Sequence, residues 1–211
     1  CTNLKVLDIR EREQCEDPKT IKEIKDANCI MFSGGDQSRI SDIIGGTVIH
    51  EILHTRFVEE EIVIAGTSAG AMAMSTEMIY GGSSTDALIK GSIRMREGLG
   101  FIDDLIIDSH FIMRGRFGRL AEAVANHPTL IGVGLAEDTG MIIKDRNACR
   151  VIGSGMVIIF DANNLSQNNV ASLPVGVPMT MAGIKVHVLA NYDVYHIDTR
   201  SVEVLPFDVE D

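Results

Sequence analysis

Two short stretches of this chain carry residues whose types and spacing can do chemistry. "HEILH" spans residues 50–54. On a helix, that spacing sets His50 and His54 on one face to ligate zinc, with Glu51 as general base. "GTSAG" spans residues 66–70. It fits G-x-S-x-G, a sharp strand-to-helix turn that presents the serine as a nucleophile. One pattern implies metal-assisted hydrolysis and the other a covalent acyl-enzyme, so they compete.

A zinc site of the first type needs a third protein ligand. The extended form H-E-x-x-H-x-x-G-x-x-H fails here, because its last two places hold Phe57 and Glu60. Glu77 is available downstream by distance alone, but strand 61–66 and the serine turn intervene. Ile49, Ile52, Leu53 and Phe57 fall at helical spacing and form an apolar stripe. The expectation is therefore an amphipathic helix, with His50 and His54 flanking the stripe, Glu51 toward solvent and no metal.

The serine motif has its context. "EIVIAG" before it reads as an apolar strand and "AMAMST" after it can be helical. Gly66 and Gly70 permit the tight turn and the close approach of helix to strand. Ser68 then opens a helix whose first N–H groups lack partners, and the N–H of Ala69 is the natural oxyanion donor. A serine nucleophile needs a base, and the base an orienting acid. Among the histidines, His187 lies inside a late strand, His127 at a helix end, and His50 and His54 on the helix above. His110 ends the strand "LIIDSH", where ligand sites lie in open parallel sheets. It is the best-placed base. Glu137, at the end of "IGVGLAE", and Asp86, in the loop after the nucleophile helix, both qualify as the acid. Spacing does not choose between them.

The elements that would position these groups alternate. Residues 4–9 read as a strand, 17–27 as a helix capped by Asp17 with Pro18 at its first position, and 29–35 as a buried strand ending in a glycine turn. Helices are expected at 37–44 and 48–58, a strand at 61–66, and the nucleophile helix at 69–77. A loop follows at 81–87, then a strand at 104–111 and a helix at 114–128. From residue 130 the chain turns into short apolar strands. The first two-thirds implies a parallel sheet with helices on both faces, and the last third an antiparallel extension of it. No repeat, linker or low-complexity tract divides the 211 residues, so one domain is expected.

Composition sets outer limits. A net charge of −11 argues against nucleic acid or an anionic membrane as partner. No apolar run approaches the eighteen or so residues of a transmembrane helix. Cys1, Cys15, Cys29 and Cys149 show no C-x-x-C pair and no disulfide framework. The expectation is a reduced, cytoplasmic-type protein with Cys29 a buried thiol. The opening residues do not resemble a signal peptide.

Several stretches together resemble the cyanophycinases, serine hydrolases of a peptidase family that also contains aspartyl dipeptidase. They are "FSGGDQSRI" (32–40), "IIGGT" (43–47), "AGTSAGAMAMS" (65–75), "DSHFIMRGRFGRLAEAV" (108–124) and "GVGLAEDTG" (132–140). The resemblance runs from residue 32 to 140 in family order and spacing; beyond that the chain is similar only in being strand-rich. It implies a flavodoxin-like α/β fold related to class I glutamine amidotransferases. The family's opening glycine-rich strand and first helix have no counterpart here, so the expected unit is a peptidase domain over residues 1–211 lacking them.

The activity the resemblance implies is cleavage of cyanophycin, a polyaspartate with arginine on each β-carboxyl, into β-Asp-Arg dipeptides. Ser68 would be the nucleophile, His110 the base and Glu137 the acid, with Asp86 the competing acid. Gly35 and Asp36 would offer a second oxyanion N–H beside that of Ala69. Gln37, Asp108, Arg114, Arg116 and Arg119 match substrate-binding positions. Ser109 stands at another, where the family usually carries Gln, and Asp86 stands where it carries Glu. Three arginines within nine residues of His110 would also hold substrate carboxylates bidentately on chemistry alone. No metal or organic cofactor is implied, and a homodimer is compatible with the reading. The rivals are a dipeptidase cutting Asp-X or isoAsp-X pairs, and a catalytically silent binding protein on the same fold.

Overall fold

The structure, a computed structural model, describes residues 3–82 and 86–206. Its elements run α1 (Pro18–Asp26), β1 (Cys29–Phe32), α2 (Gln37–Ile44), α3 (Val48–Glu59), β2 (Val63–Gly66), α4 (Ala69–Met72), β3 (Glu77–Gly82), β4 (Ile93–Glu97), β5 (Leu105–Asp108), α5 (Phe117–Asn126) and β6 (Ile131–Leu135). Eight more strands follow: β7 (Thr139–Lys144), β8 (Ala148–Gly153), β9 (Val157–Asp161), β10 (Gln167–Asn168), β11 (Met181–Ala182), β12 (Lys185–Leu189), β13 (Val194–His196) and β14 (Ser201–Glu203). The fold is mixed α/β.

Local signals explain where the helices start. The Asp17 carboxylate accepts from the Thr20 N–H at 2.9 Å, with Pro18 behind it, and this opens α1. Asp36 caps α2 through the Ser38 N–H at 2.8 Å, and the Thr47 hydroxyl caps α3.

Parallel strands need crossovers, and two are present. β1 and β2 pair in parallel around α2 and α3; β5 and β6 pair in parallel around α5. β9 and β12 then add antiparallel to give the order β12-β9-β6-β5, so part of the late chain does extend a parallel unit. β7, β8, β13 and β14 instead form a separate antiparallel sheet, β10 and β11 a short ladder, and β3 and β4 a hairpin. The two parallel units are not one continuous ladder. They are stitched where the chain after α4 meets the chain before β5: Leu99 N–H donates to Ala73 O at 2.7 Å, Phe101 N–H to Met74 O at 2.9 Å and Thr76 N–H to Ile102 O at 3.0 Å.

That stitch explains one difference from expectation. The helix predicted to reach residue 77 stops at Met72, because the groups of 73–76 are taken by residues 98–102 and Glu77 already pairs with Glu97. Residues 4–9 form no strand: Leu4 and Val6 are exposed, and no neighbour among the described residues supplies a ladder. Cys29 is exposed rather than buried, since it and Met31 lie on the outer face of β1; Cys15 and Cys149 are buried. The loop expected at 81–87 falls partly outside the described residues, and Gly81 and Gly82 close β3.

The core beneath the site lies between α5 and the sheet. Leu105, Ile106, Leu120, Val124, Ile131, Val133 and Ile159 are fully buried there. Each contributes roughly 1.5–3 kcal/mol by leaving water. Gly132 lets α5 sit this close, because a Cβ there would lie 2.8 Å from Val124 Cγ1.

Candidate active site

Ser68 sits between β2 and α4 with φ 52° and ψ −117°. A non-glycine residue in such a region costs of order 1–3 kcal/mol and persists only where its surroundings enforce it. Here they do. A Cβ on Gly66 would lie 2.4 Å from the Gly70 backbone, and one on Gly70 would lie 2.1 Å from Phe32 O. Helix, elbow and the end of β1 are in backbone contact, so the motif's two glycines are steric requirements. The short α4 behind the elbow is buried throughout.

His110 follows the end of β5, also at positive φ (52°). It is fixed by the next residue. Phe111 is buried, its N–H donates to Leu135 O at 3.0 Å, and its ring fills the space that a Cβ on Gly134 would need. His110 Nε2 lies 2.9 Å from Ser68 Oγ, and its Nδ1 lies 3.1 Å from Glu137 Oε1. The two bonds are mutually consistent: with the proton on Nδ1 donating to the carboxylate, Nε2 is free to accept from the serine hydroxyl. Glu137 stands in the turn after β6. Thr139 Oγ1 donates to Glu137 O at 2.9 Å and accepts from the Gly155 N–H at 2.9 Å, which pins that turn to the segment before β9. Asp86 is exposed and makes no hydrogen bond to His110 among the described residues.

The glycine turn after β1 runs beside the elbow. A Cβ on Gly34 would approach Ser68 Cβ to 3.3 Å. Gly35 has φ +139° and is exposed, as is Asp36, whose carboxylate is occupied in capping α2. Ala69 opens α4 and its N–H has no intrahelical partner. Gln37 turns its side-chain amide to Ile79 O at 2.9 Å, tying α2 to β3.

Several residues flanking His110 turn inward. Asp108 is completely buried, and both of its oxygens are taken by Arg119, through Nε at 2.6 Å and Nη2 at 2.5 Å. Arg116 Nη1 adds bonds to Asp108 Oδ1 at 3.0 Å and to Ser109 O at 2.7 Å. Arg119 is only 5% exposed and Ser109 is buried. Asp108, Ser109 and Arg119 therefore do not offer open side chains to a substrate. Burial lowers the pKa of Arg116, opposed by the charge of Asp108. Of the triplet, Arg114 alone is exposed, and it forms no salt bridge among the described residues.

"HEILH" lies on α3, with Ile49 and Leu53 buried and Glu51 exposed. The histidines do more than flank the stripe. His50 Nε2 and His54 Nε2 both reach Leu99 O, at 2.8 and 2.7 Å. His50 Nδ1 accepts from the Gly46 N–H at 3.0 Å, so its proton sits on Nε2 and points at the carbonyl. A nitrogen in that state has no lone pair for a metal. The pair grips the loop that carries the stitch between the two parallel units, a role with no signal in the sequence, because the acceptor is a distant backbone oxygen. Gly34 is the other residue that sequence reasoning passed over; its signal was the "GGD" turn facing a serine elbow.

The model of peptidase family S51 matches residues 2–151 of the chain. The chain belongs to that family. This S51 peptidase is 36% identical over 199 residues to the cyanophycinase of Trichormus variabilis and to that of Nostoc sp. strain PCC 7120, an alignment covering 94% of the chain and 67% of each relative. It is also 36% identical over 198 residues to the cyanophycinase of Geminocystis herdmanii, 73% of which is covered. The chain thus spans about two thirds to three quarters of the length of these relatives. Among solved structures, it is similar to a peptidase from an acI-B1 Actinobacterium, with TM-score 0.60 and 25% identity over 88% of the chain and 69% of that structure.

Proposed function

We propose that this S51 peptidase is a serine hydrolase that cleaves cyanophycin to β-Asp-Arg dipeptides through an acyl-enzyme on Ser68, on a flavodoxin-like scaffold. The observation that carries the mechanism is the line Ser68 Oγ, His110, Glu137, with spacings of 2.9 and 3.1 Å, on a strained elbow. The likeness to cyanophycinases supports the substrate.

His110 Nε2 takes the hydroxyl proton as Ser68 Oγ attacks the scissile backbone carbonyl carbon. The oxyanion rests on the Ala69 N–H, with a second N–H from Gly35 or Asp36. As the intermediate collapses, the C–N bond breaks and His110 returns the proton to the leaving amine. Water then gives a proton to His110 as it attacks the ester carbonyl; the acyl C–Oγ bond breaks and His110 returns that proton to Ser68 Oγ. Glu137 fixes the Nδ1–H tautomer and stabilises the imidazolium; Asp86 has no part in this. The β-carboxyls of the polymer are amidated, so the charges it presents are the carboxylate and guanidinium of each arginine.

The fate of the arginine triplet favours a second reading. With Arg116 and Arg119 turned onto Asp108, less cationic surface faces a polymer than the sequence implied, which suits a dipeptidase acting on Asp-X or isoAsp-X pairs. Incubation with purified cyanophycin and with isoaspartyl dipeptides, read by mass spectrometry, separates the two. Release of β-Asp-Arg from the polymer, lost by roughly 10⁴-fold in Ser68→Ala, is expected. Turnover of dipeptides alone would replace the polymer reading.

A further inference from the structure

Asp108, Arg116 and Arg119 are among the positions that match substrate-binding residues of the family, yet their geometry is that of a closed cluster. Three N–H donors converge on one carboxylate that has no contact with water. Breaking a buried pair of this kind is strongly unfavourable, because one charge is left uncompensated. A substrate carboxylate could recruit Arg119 only by displacing Asp108 and leaving it buried and alone.

What the cluster does hold is the backbone on either side of His110. Asp108 is the last residue of β5, and Arg119 on α5 binds both of its oxygens. Arg116 bridges Asp108 and the carbonyl of Ser109, the residue immediately before His110. On the far side, the Arg114 N–H donates to His110 O at 3.1 Å and the Arg116 N–H to Phe111 O at 3.0 Å. His110 thus occupies a positive-φ turn whose flanks are clamped from α5 and from the turn that leads into it. Its Nε2 must stay within hydrogen-bond reach of a serine carried by the other parallel unit, and a displacement of about 1 Å in such an arrangement can cost 10²-fold in rate.

We infer that Asp108, Arg116 and Arg119 are positioning residues that set the reach of His110 toward Ser68, leaving Arg114 as the arginine of the triplet that meets substrate. The inference rests on the serine mechanism proposed above.

A small fluorophosphonate tests it, because its reaction with Ser68 depends on His110 but needs none of the polymer's contacts. The labelling rate, kcat and KM on the hydrolysed substrate would be measured for wild type, Arg119→Lys, Arg116→Gln, Arg116→Lys and Arg114→Ala, with near-UV circular dichroism as the check on folding. Arg119→Lys should slow labelling and kcat in parallel, by about 10–100-fold, with KM within about threefold. Arg116→Gln should do so more mildly, and Arg116→Lys, which restores a charge toward Asp108 and Ser109 O, should recover part of the loss. Arg114→Ala should raise KM and leave labelling unchanged. If Arg116→Gln and Arg119→Lys label at the wild-type rate while KM rises tenfold or more, they bind substrate and the inference is overturned. Loss of the near-UV signal in every cluster variant would make the cluster a plain stability element and overturn it as well. A wild-type protein that fails to label is a different outcome, since it removes the serine mechanism itself.

Discussion

Replacing Glu137 by Gln tests the least conventional part of the site, a triad acid that is not deeply buried. The substitution keeps the shape and removes the charge facing the imidazolium. With Nδ1 and Oε1 at 3.1 Å, the centres of the two charges lie about 4 Å apart, and at an effective dielectric of about 20 their attraction is about 4 kcal/mol. That corresponds to about 10³-fold in rate. The side chains of His110 and Glu137 are 35% and 29% exposed, so water screens part of this, while a Gln amide that donates to Nδ1 would add the cost of the wrong tautomer. A fall in kcat on the order of 10³-fold is expected, with KM little changed, whereas Asp86→Asn should stay within about threefold. The assay is steady-state release of dipeptide, with fluorophosphonate labelling as an independent measure of Ser68 reactivity. A Glu137→Gln enzyme within tenfold of wild type, or an Asp86→Asn enzyme crippled instead, would refute the reasoning.

Gly70→Ala should prevent the elbow from closing, since the new Cβ would lie 2.1 Å from Phe32 O; a loss of about 3 kcal/mol or failure to fold is expected in denaturant unfolding. Burial lowers the pKa of His50 from its ordinary 6.5, so the unfolded chain takes up its proton first as pH falls. The contribution of His50 is therefore fully present above about pH 6.5 and is lost as pH drops below it; the melting temperature should fall on that side, less steeply in His50→Gln. Elemental analysis should find no stoichiometric zinc, and a chelator should leave hydrolysis unchanged, because the Nε2 atoms of His50 and His54 are engaged with Leu99 O.

The parts of this molecule that were legible in its sequence are those whose cause is local. The elbow follows from Gly66, Ser68 and Gly70 within five residues, and α1 and its start follow from Asp17 and Pro18. Strand ends β5 and β6 were placed by apolar runs, which also set His110 and Glu137 at neighbouring edges of one parallel pair. The parts that were not legible depend on partners far along the chain. Whether Arg119 faced solvent or Asp108 turned on how α5 packs against β5. The truncation of the helix after Ser68 was imposed by residues 98–102, and the pairing of His50 with His54 by a carbonyl 45 residues or more away. Residues 4–9 have strand composition, but a strand is defined by its neighbour.

The stitched boundary between the two parallel units has a consequence for how activity fails. Ser68 belongs to the β1–β2 unit, while His110 and Glu137 belong to the β5–β6 unit. Proton transfer at 2.9 Å is therefore a gauge of alignment between the two units, joined through Ala73, Met74 and Thr76 on one side and Leu99, Phe101 and Ile102 on the other. Heat or mild denaturant that lets this hem slip would part nucleophile from base while both ladders and nearly all of the secondary structure persist. The molecule would go silent before it melts, and substitutions at the hem would read as catalytic defects.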